Sequence, residues 1–193
     1  KKIIDAIKLV RSVGMKVTTT TVISKDTINS IDYIISLAKK LGFTVEFNLP
    51  YAQEMGDKNN PIMHLDDNEI KTVLRKLIDL QKKGAPMSLS KAPREYALNW
   101  PVNYNKKILY DDVPDNFKYL ECYMGRFMCM IDSDGFVYPC GQLIGNFPAL
   151  NIHKVDFKTA WDNLLKKRKC KTCYEFCFNE FNYVFNLNPK VLG

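Results

Sequence analysis

The sequence predicts an α/β fold, in which part of a parallel β/α barrel precedes a small α+β unit that carries the cysteines. Three observations predict it. Apolar residues in the first hundred positions alternate between helical and strand spacing, a hairpin pattern follows, and all six cysteines lie beyond residue 121. With 193 residues, 46% hydrophobic and 25% charged, the composition is that of a folded globular protein, which argues against a disordered or fibrous chain.

The first predicted elements alternate between helix and strand. Apolar residues recur at helical spacing up to Gly14, which ends the first helix. The Val- and Thr-rich segment Met15–Ile23 predicts a strand, and a second amphipathic helix ends at Gly42. Phe43–Pro50 alternates apolar and polar residues and therefore predicts a second strand.

The next elements continue this alternation. A polar loop at Tyr51–His64 leads to a helix that starts at Asp66 or Asp67 and stops at Gly84. Met87–Ser90 predicts a short third strand. The order strand, helix, strand implies parallel pairing with right-handed crossovers.

Residues 1–100 are interpreted as a piece of a larger α/β barrel, because three strands alone would leave both sheet edges open. Barrels of this type bind ligands at the C-terminal ends of their strands. Thr20, Val22, Asn48 and Pro50 lie near those ends and are candidate binding residues. Each of them is equally consistent with an ordinary strand position.

Residues 101–121 lose this periodicity and predict a linker into a second unit at 122–193. In that unit, Phe127–Ile131 and Phe136–Tyr138 flank a Ser-Asp-Gly turn and predict a tight hairpin. Gly135 can adopt the positive φ that such a turn requires.

A helix over Asn151–Leu165 is predicted before the run Cys170-Lys-Thr-Cys173-Tyr-Glu-Phe-Cys177. Cys-x-x-Cys lets two thiolates bind one metal centre. Four sulfurs from a hairpin and a distant pair suit a zinc site or a [4Fe–4S] cluster, and spacing does not separate the two. A thiol–disulfide redox pair is a third interpretation. Cys129 lies between apolar neighbours and is expected to be a packed thiol.

The formal charge of +7 comes from 28 Lys and Arg against 21 Asp and Glu. Its densest part is the run Lys166-Lys167-Arg168-Lys169, which continues at Lys171. This run is either a solvated helix face or a set of cations that favours thiolates at Cys170 and Cys173. No aromatic residues interleave with it, which argues against a nucleic-acid partner.

No apolar stretch approaches the roughly 20 residues that a membrane helix needs, so no membrane partner is expected. The two histidines, His64 and His153, have no partners at ligand spacing and are expected to be surface or loop residues.

The second unit carries the motif Cys122-x12-Gly135-x4-Cys140, a Gly-Asn turn, a helix with Trp161 and the Cys170-x2-Cys173 pair. In these features it resembles the auxiliary cluster domain of radical S-adenosylmethionine (SAM) enzymes. This domain occurs in a two-cluster SPASM form and a one-cluster twitch form, and the single further cysteine after Cys173 favours the twitch form. The strands within residues 1–91 are similar to the closing strands of the family's partial (β/α)6 barrel.

The resemblance implies that Cys122, Cys140, Cys170 and Cys173 bind one auxiliary [4Fe–4S] cluster, with Cys177 as the alternative fourth ligand. If four cysteines bind the cluster, its expected role is electron transfer. If only three bind it, one iron atom stays open and a substrate atom could bind there. The resemblance also assigns part of the SAM wall to the four strand-end residues, which are Thr20, Val22, Asn48 and Pro50.

The family's activating cluster is bound by a Cys-x3-Cys-x2-Cys loop, which does not occur in these 193 residues. The chain is therefore expected to be either a C-terminal fragment or a degenerate relative of the family. The half-barrel with open sheet edges favours a C-terminal fragment that is catalytically incomplete. The intact enzyme is expected to be a cytoplasmic radical SAM oxidoreductase or maturase. It would use SAM, a second [4Fe–4S] cluster and a reductase such as ferredoxin or flavodoxin, and act on a peptide or small molecule.

A different class of function is also consistent with the residues. Four cysteines can form a structural zinc site in a non-catalytic binding module, whose basic run would contact an acidic partner.

Overall fold

The structure, a computed structural model, describes residues 2–50, 65–104 and 106–192. These residues form two compact units, the first made of 2–50 and 65–99 and the second of 100–104 and 106–192. The predicted loop Tyr51–His64, and with it His64, lies outside the described residues. Within the described part of the chain, no helix is both long enough and apolar enough to cross a membrane.

The first unit combines helices with a parallel strand pair. Its elements are α1 (Lys2–Ser12), β1 (Thr18–Val22), α2 (Ile31–Leu41), β2 (Thr44–Asn48), α3 (Asp67–Lys82) and α4 (Ala92–Leu98). Strands β1 and β2 pair in parallel, with Thr18 opposite Thr44 and Val22 opposite Asn48. The parallel pairing predicted for these two strands is confirmed.

The third predicted strand is reduced to one bridge. Met87 pairs with Val45 in a parallel bridge, and Val45 N–H donates to the Pro86 carbonyl at 2.8 Å. Pro86 has no N–H to extend a ladder, and α4, which the sequence did not predict, begins at Ala92. In the described residues, the strands of this unit do not close into a barrel.

The core of the first unit forms where α2 and α3 pack on the strands. Its buried residues include Ile31, Ile35, Val45, Phe47, Val73 and Leu77. The predicted start of α3 is confirmed. Asp66 accepts hydrogen bonds from Asn68 N–H and Glu69 N–H, and Glu69 bonds back to Asp66 N–H in a capping box.

A buried ion pair links β2 to α4 in this unit. Arg94 Nη2 donates to Glu46 Oε1 at 2.6 Å, and both side chains are almost fully buried. Arg94 also donates to Gln81 Oε1 at 3.0 Å and to the Ser90 carbonyl at 2.9 Å. Leu89 N–H donates to the other oxygen of Glu46. This network fixes the chain between α3 and α4 against β2.

The second unit is built from short elements. They are β3 (Ile108–Leu109), β4 (Met130–Ile131), β5 (Phe136–Tyr138), β6 (Leu150–Asn151), α5 (Phe157–Lys167), β7 (Cys170–Thr172), α6 (Phe176–Phe185) and α7 (Pro189–Leu192). Strands β4 and β5 form the predicted antiparallel hairpin, and β6 adds an unpredicted third strand. A separate antiparallel pair joins β3 to β7.

The segment predicted to be a linker, residues 101–121, contributes to the interior of the second unit. Tyr104, Ile108 and Leu120 are buried. The Tyr104 ring packs edge-on against Tyr174, with 5.2 Å between ring centroids. These buried residues are spaced 4 and 12 positions apart with polar residues and Pro114 between them, so the segment shows no helical or strand periodicity.

We expect Glu46→Gln to lower the free energy of unfolding by about 3 kcal/mol, because it leaves the buried Arg94 guanidinium without its counter-charge. Urea denaturation followed by circular dichroism measures this. Asp32→Asn is the control, since the Asp32–Lys76 pair is exposed (side chains 64% and 40%) and its loss should cost less than about 1 kcal/mol. Equal costs for the two variants would contradict the role of the buried pair.

Gly135 occupies the hairpin turn at φ +86°, and an added Cβ there would lie 2.7 Å from the His153 ring. Gly145 has φ +78° with no atom in that space. Gly145→Ala should cost about 1 kcal/mol through backbone strain alone. Gly135→Ala should cost at least about 1 kcal/mol more, because the added Cβ also forces the His153 ring to move. Thermal unfolding of both variants measures the difference between their stability costs. Equal costs would show that the His153 contact does not matter.

Candidate metal centre

Four of the six cysteines line one small cavity in the second unit, which we call the cysteine cavity. These are Cys122, Cys140, Cys170 and Cys173, the four residues that the sequence resemblance assigns to a cluster. None of the six cysteines forms a disulfide. The structure therefore brings together thiols that lie up to 51 positions apart in the sequence.

Short strands position these cysteines at the cavity. Strand β5 ends at Tyr138, so the hairpin carries Cys140 back past the chain that enters from Cys122. Strand β7 starts at Cys170, which lies opposite Leu109 of β3. Cys173 directly follows β7.

A buried guanidinium ties the Cys122 segment to the Cys170 segment. Arg168 Nη1 donates to the carbonyls of Cys122, at 3.0 Å, and of Met124. Its Nη2 donates to the Tyr110 hydroxyl at 3.1 Å. Because Arg168 lies two positions before Cys170, these bonds bring the two cysteine-bearing segments together.

An ion pair makes a second connection between the same segments. Lys171 Nζ lies 3.2 Å from a Glu121 carboxylate oxygen, and it also lies over the rings of Tyr110 and Tyr119. Glu121 and Lys171 are the direct neighbours of Cys122 and Cys170.

Two buried asparagines of α6 connect Cys173 to the Cys122 side. Asn179 Nδ2 donates to the Cys173 carbonyl at 2.8 Å, and Asn182 Nδ2 donates to Asn179 Oδ1 at 3.1 Å. Asn182 Oδ1 in turn accepts from Tyr123 N–H at 2.8 Å. This chain of hydrogen bonds is fully satisfied inside the unit, so it fixes both backbone segments.

Burial raises the thiol pKa values of three cysteines in the cysteine cavity, Cys140, Cys170 and Cys173. Desolvation, reinforced by the neighbouring Cys170 and Cys122, raises the pKa of Cys140 to about 12. The pKa of Cys173 is raised well above its usual value by burial and then by Cys122 and Cys140. The pKa of Cys170 is also raised, mainly by burial, although the positive charges of Arg168 and Lys107 lower it. The raised pKa values favour the protonated thiols of Cys140, Cys170 and Cys173, so binding of a metal by these three residues would release protons.

The cysteine cavity is small, and its volume limits what it could bind without rearrangement. Its volume is about 10 Å³, which is the room that one water molecule needs. In the described residues, no three Cys, His, Asp or Glu side chains stand where they could hold a metal ion. The four thiols therefore line the cavity without standing at metal-binding positions around a common point.

One buried donor of the cysteine cavity lacks a protein partner. Arg168 lines the cavity, and its Nε–H finds no acceptor among the described residues. A buried unsatisfied donor costs about 1–3 kcal/mol. A sulfur acceptor at this site would remove that cost.

The other two cysteines lie outside the lining of this cavity. Cys129 is half-buried and packs against the core of the second unit, and burial raises its pKa. Cys177 lies in the first turn of α6, beside the cavity residue Phe178.

The four strand-end residues lie in the first unit. The register of β1 and β2 places Thr20, Val22 and Asn48 on one face, where Thr20 and Val22 are exposed. Pro50 follows the end of β2 and is half-buried. His153 is exposed beside the hairpin turn.

Several residues of the site were not singled out from the sequence. The basic run was considered as one set, whereas the structure buries Arg168 and leaves its neighbours Lys167 and Lys169 exposed. Asn179 and Asn182 were missed, although two asparagines three positions apart, on one face of a helix rich in aromatic residues, are a detectable signal.

A scan against protein-family models and a search of the curated proteins find no match to this chain.

We expect Arg168→Gln to lower the free energy of unfolding by about 3 kcal/mol, since it removes three hydrogen bonds and leaves buried carbonyls without donors. Arg126→Gln is the matched control, because Arg126 is exposed and its contact with the Tyr123 ring, at 5.8 Å, should be worth less than about 1 kcal/mol. Urea denaturation of the two variants gives the comparison. If both cost the same, Arg168 does not hold the site together.

Proposed function

We propose that this chain is the C-terminal part of a radical SAM oxidoreductase, whose second unit binds one auxiliary [4Fe–4S] cluster. One observation carries the proposal: the four cysteines that match the family's motif line one cavity, and Cys129 and Cys177 do not belong to its described lining. The cysteine spacing in the sequence and the lining of the cavity thus select the same four residues.

The residues of the cysteine cavity fit such a group chemically. Four thiols are the usual donor set of a [4Fe–4S] cluster. Four thiolates around it make the site negative, and Arg168 and Lys107 provide positive charge in the cavity wall. The unpartnered Arg168 Nε–H supplies a hydrogen-bond donor for a sulfur atom.

When bound, the cluster supplies one-electron chemistry. The chain's own residues orient it and exclude water. Cys122 and Cys140 are buried, and Arg168 holds the Cys122 backbone in place. The buried Asn179 fixes the Cys173 backbone. With all four thiols as ligands, we assign the site to electron transfer and not to direct substrate binding.

We assign SAM cleavage to the intact protein only, because the Cys-x3-Cys-x2-Cys loop is absent from the sequence. In that protein, the exposed strand face with Thr20, Val22 and Asn48, extended by Pro50, would contribute to the SAM wall. We further propose a ferredoxin or flavodoxin as the reductant and the cytoplasm as the location, since an oxygen-sensitive cluster needs a reducing compartment.

A structural zinc site is the second candidate. The volume of the cysteine cavity, about 10 Å³, is closer to that of one ion than to that of a cluster. In this alternative the chain is a binding module, and its basic surface contacts an acidic partner.

The deciding experiment is anaerobic purification and reconstitution of the chain, with assays of iron, sulfide and zinc and a visible spectrum. We expect about four iron and four sulfide atoms per chain and a brown chromophore. Cys173→Ser should lose most of the iron, because it removes a buried ligand.

Cys129→Ser and Cys177→Ser are the controls and should keep the iron content of the parent chain. A colourless protein with one zinc per chain would contradict the proposed cluster and support the zinc-binding module. If Cys129→Ser loses the iron, the ligand set proposed here is wrong.

A further inference from the structure

A second, larger cavity lies in the same unit as the cysteines, and we call it the lysine cavity. Its volume is about 620 Å³. Four lysines line it, namely Lys106, Lys107, Lys167 and Lys169, against a single acidic residue in the described lining, Asp112. The first two lysines precede β3 and the other two end α5 or precede β7, so the fold brings together like charges that are about 60 positions apart in sequence.

This convergence of like charge points to an anionic ligand. A concave site lined by charges of one sign raises the local concentration of ions of the opposite sign. Lys106, Lys167 and Lys169 are exposed, so their charges are accessible to an anion from solvent.

The remaining lining indicates the size and character of the ligand. Leu109, Leu143, Phe147 and Pro148 supply apolar surface beside the lysines. A volume of 620 Å³ falls within the range of about 300–1,000 Å³ that is typical of small-molecule sites. A protein partner would instead need a broad patch of about 800 Å².

We propose that the lysine cavity binds a small organic anion, in which a phosphate or carboxylate group meets the lysines and an apolar part meets the Phe147 side. This proposal does not depend on which metal the cysteines bind.

The lysine cavity and the cysteine cavity share part of their walls. Lys107, Leu143 and Cys170 line both. A bound anion would therefore contact Cys170, and the Lys107 charge lies where it can offset both the anion and a negative metal centre. The ligand of the lysine cavity is placed next to the proposed cluster.

The test uses the reconstituted full chain and isothermal titration calorimetry with phenyl phosphate, which combines a dianion with an apolar ring. We expect saturable binding at one site per chain. Inorganic phosphate should bind more weakly because it lacks the ring, and benzyl alcohol should give no saturable binding because it lacks the charge.

The double variant Lys167→Gln/Lys169→Gln should weaken phenyl phosphate binding by about tenfold or more, since it removes two charged donors. The matched control is Lys166→Gln/Lys154→Gln, which removes the same charge from exposed positions outside the described lining. This control should bind as the parent does, and Lys167→Arg/Lys169→Arg should retain most of the affinity.

Equal weakening in the two Gln variants would show diffuse attraction to a basic protein and would overturn the proposal. An absence of saturable binding at millimolar phenyl phosphate, or binding of an acidic peptide alone, would overturn it as well. Iron content measured on the same samples keeps the two proposals apart. If the chain binds the anion but no iron, the proposal for the lysine cavity stands and the proposal of a cluster is wrong.

Discussion

The guanidinium of Arg168 donates to the carbonyls of Cys122 and Met124 and to the Tyr110 hydroxyl, and these acceptors lie 44 to 58 positions away in the sequence. The strands around it are two or three residues long, so backbone pairing alone cannot hold such distant segments together. A buried cation requires its acceptors to stay in place, because the guanidinium would otherwise be desolvated without compensation. The convergence of the four cysteines depends on this constraint.

A buried arginine also links separate segments in the first unit. Its two strands and single bridge form a small sheet, and Arg94 is fully buried where it joins Glu46, Gln81 and the Ser90 carbonyl. In both units, one arginine crosslinks segments that secondary structure does not connect. Guanidinium suits this role because several N–H donors lie in one rigid plane and reach different acceptors at once.

The sequence predicted features that local patterns determine. The β1–β2 pairing, the capped start of α3 and the hairpin around Gly135 are set by periodicity, by capping residues and by turn chemistry. Patterns of that kind could not reveal that Tyr104 and Ile108 are buried, or that Arg168 alone of its basic run lies inside. Burial of an isolated residue is decided by distant contacts, and so is the formation of the lysine cavity from three separate segments.

The asparagine chain of α6 has a consequence for biosynthesis. Tyr123 N–H is satisfied by Asn182, 59 positions later, and the Cys173 carbonyl by Asn179. At about 5–20 residues per second, synthesis reaches Asn182 several seconds after Cys122. For most of that interval, Cys122 and Cys140 have neither the helix nor Arg168 to position them. The C-terminal α6 is thus the element whose arrival permits the cysteines to assemble, and chains that stop before it would carry exposed, oxidisable thiols.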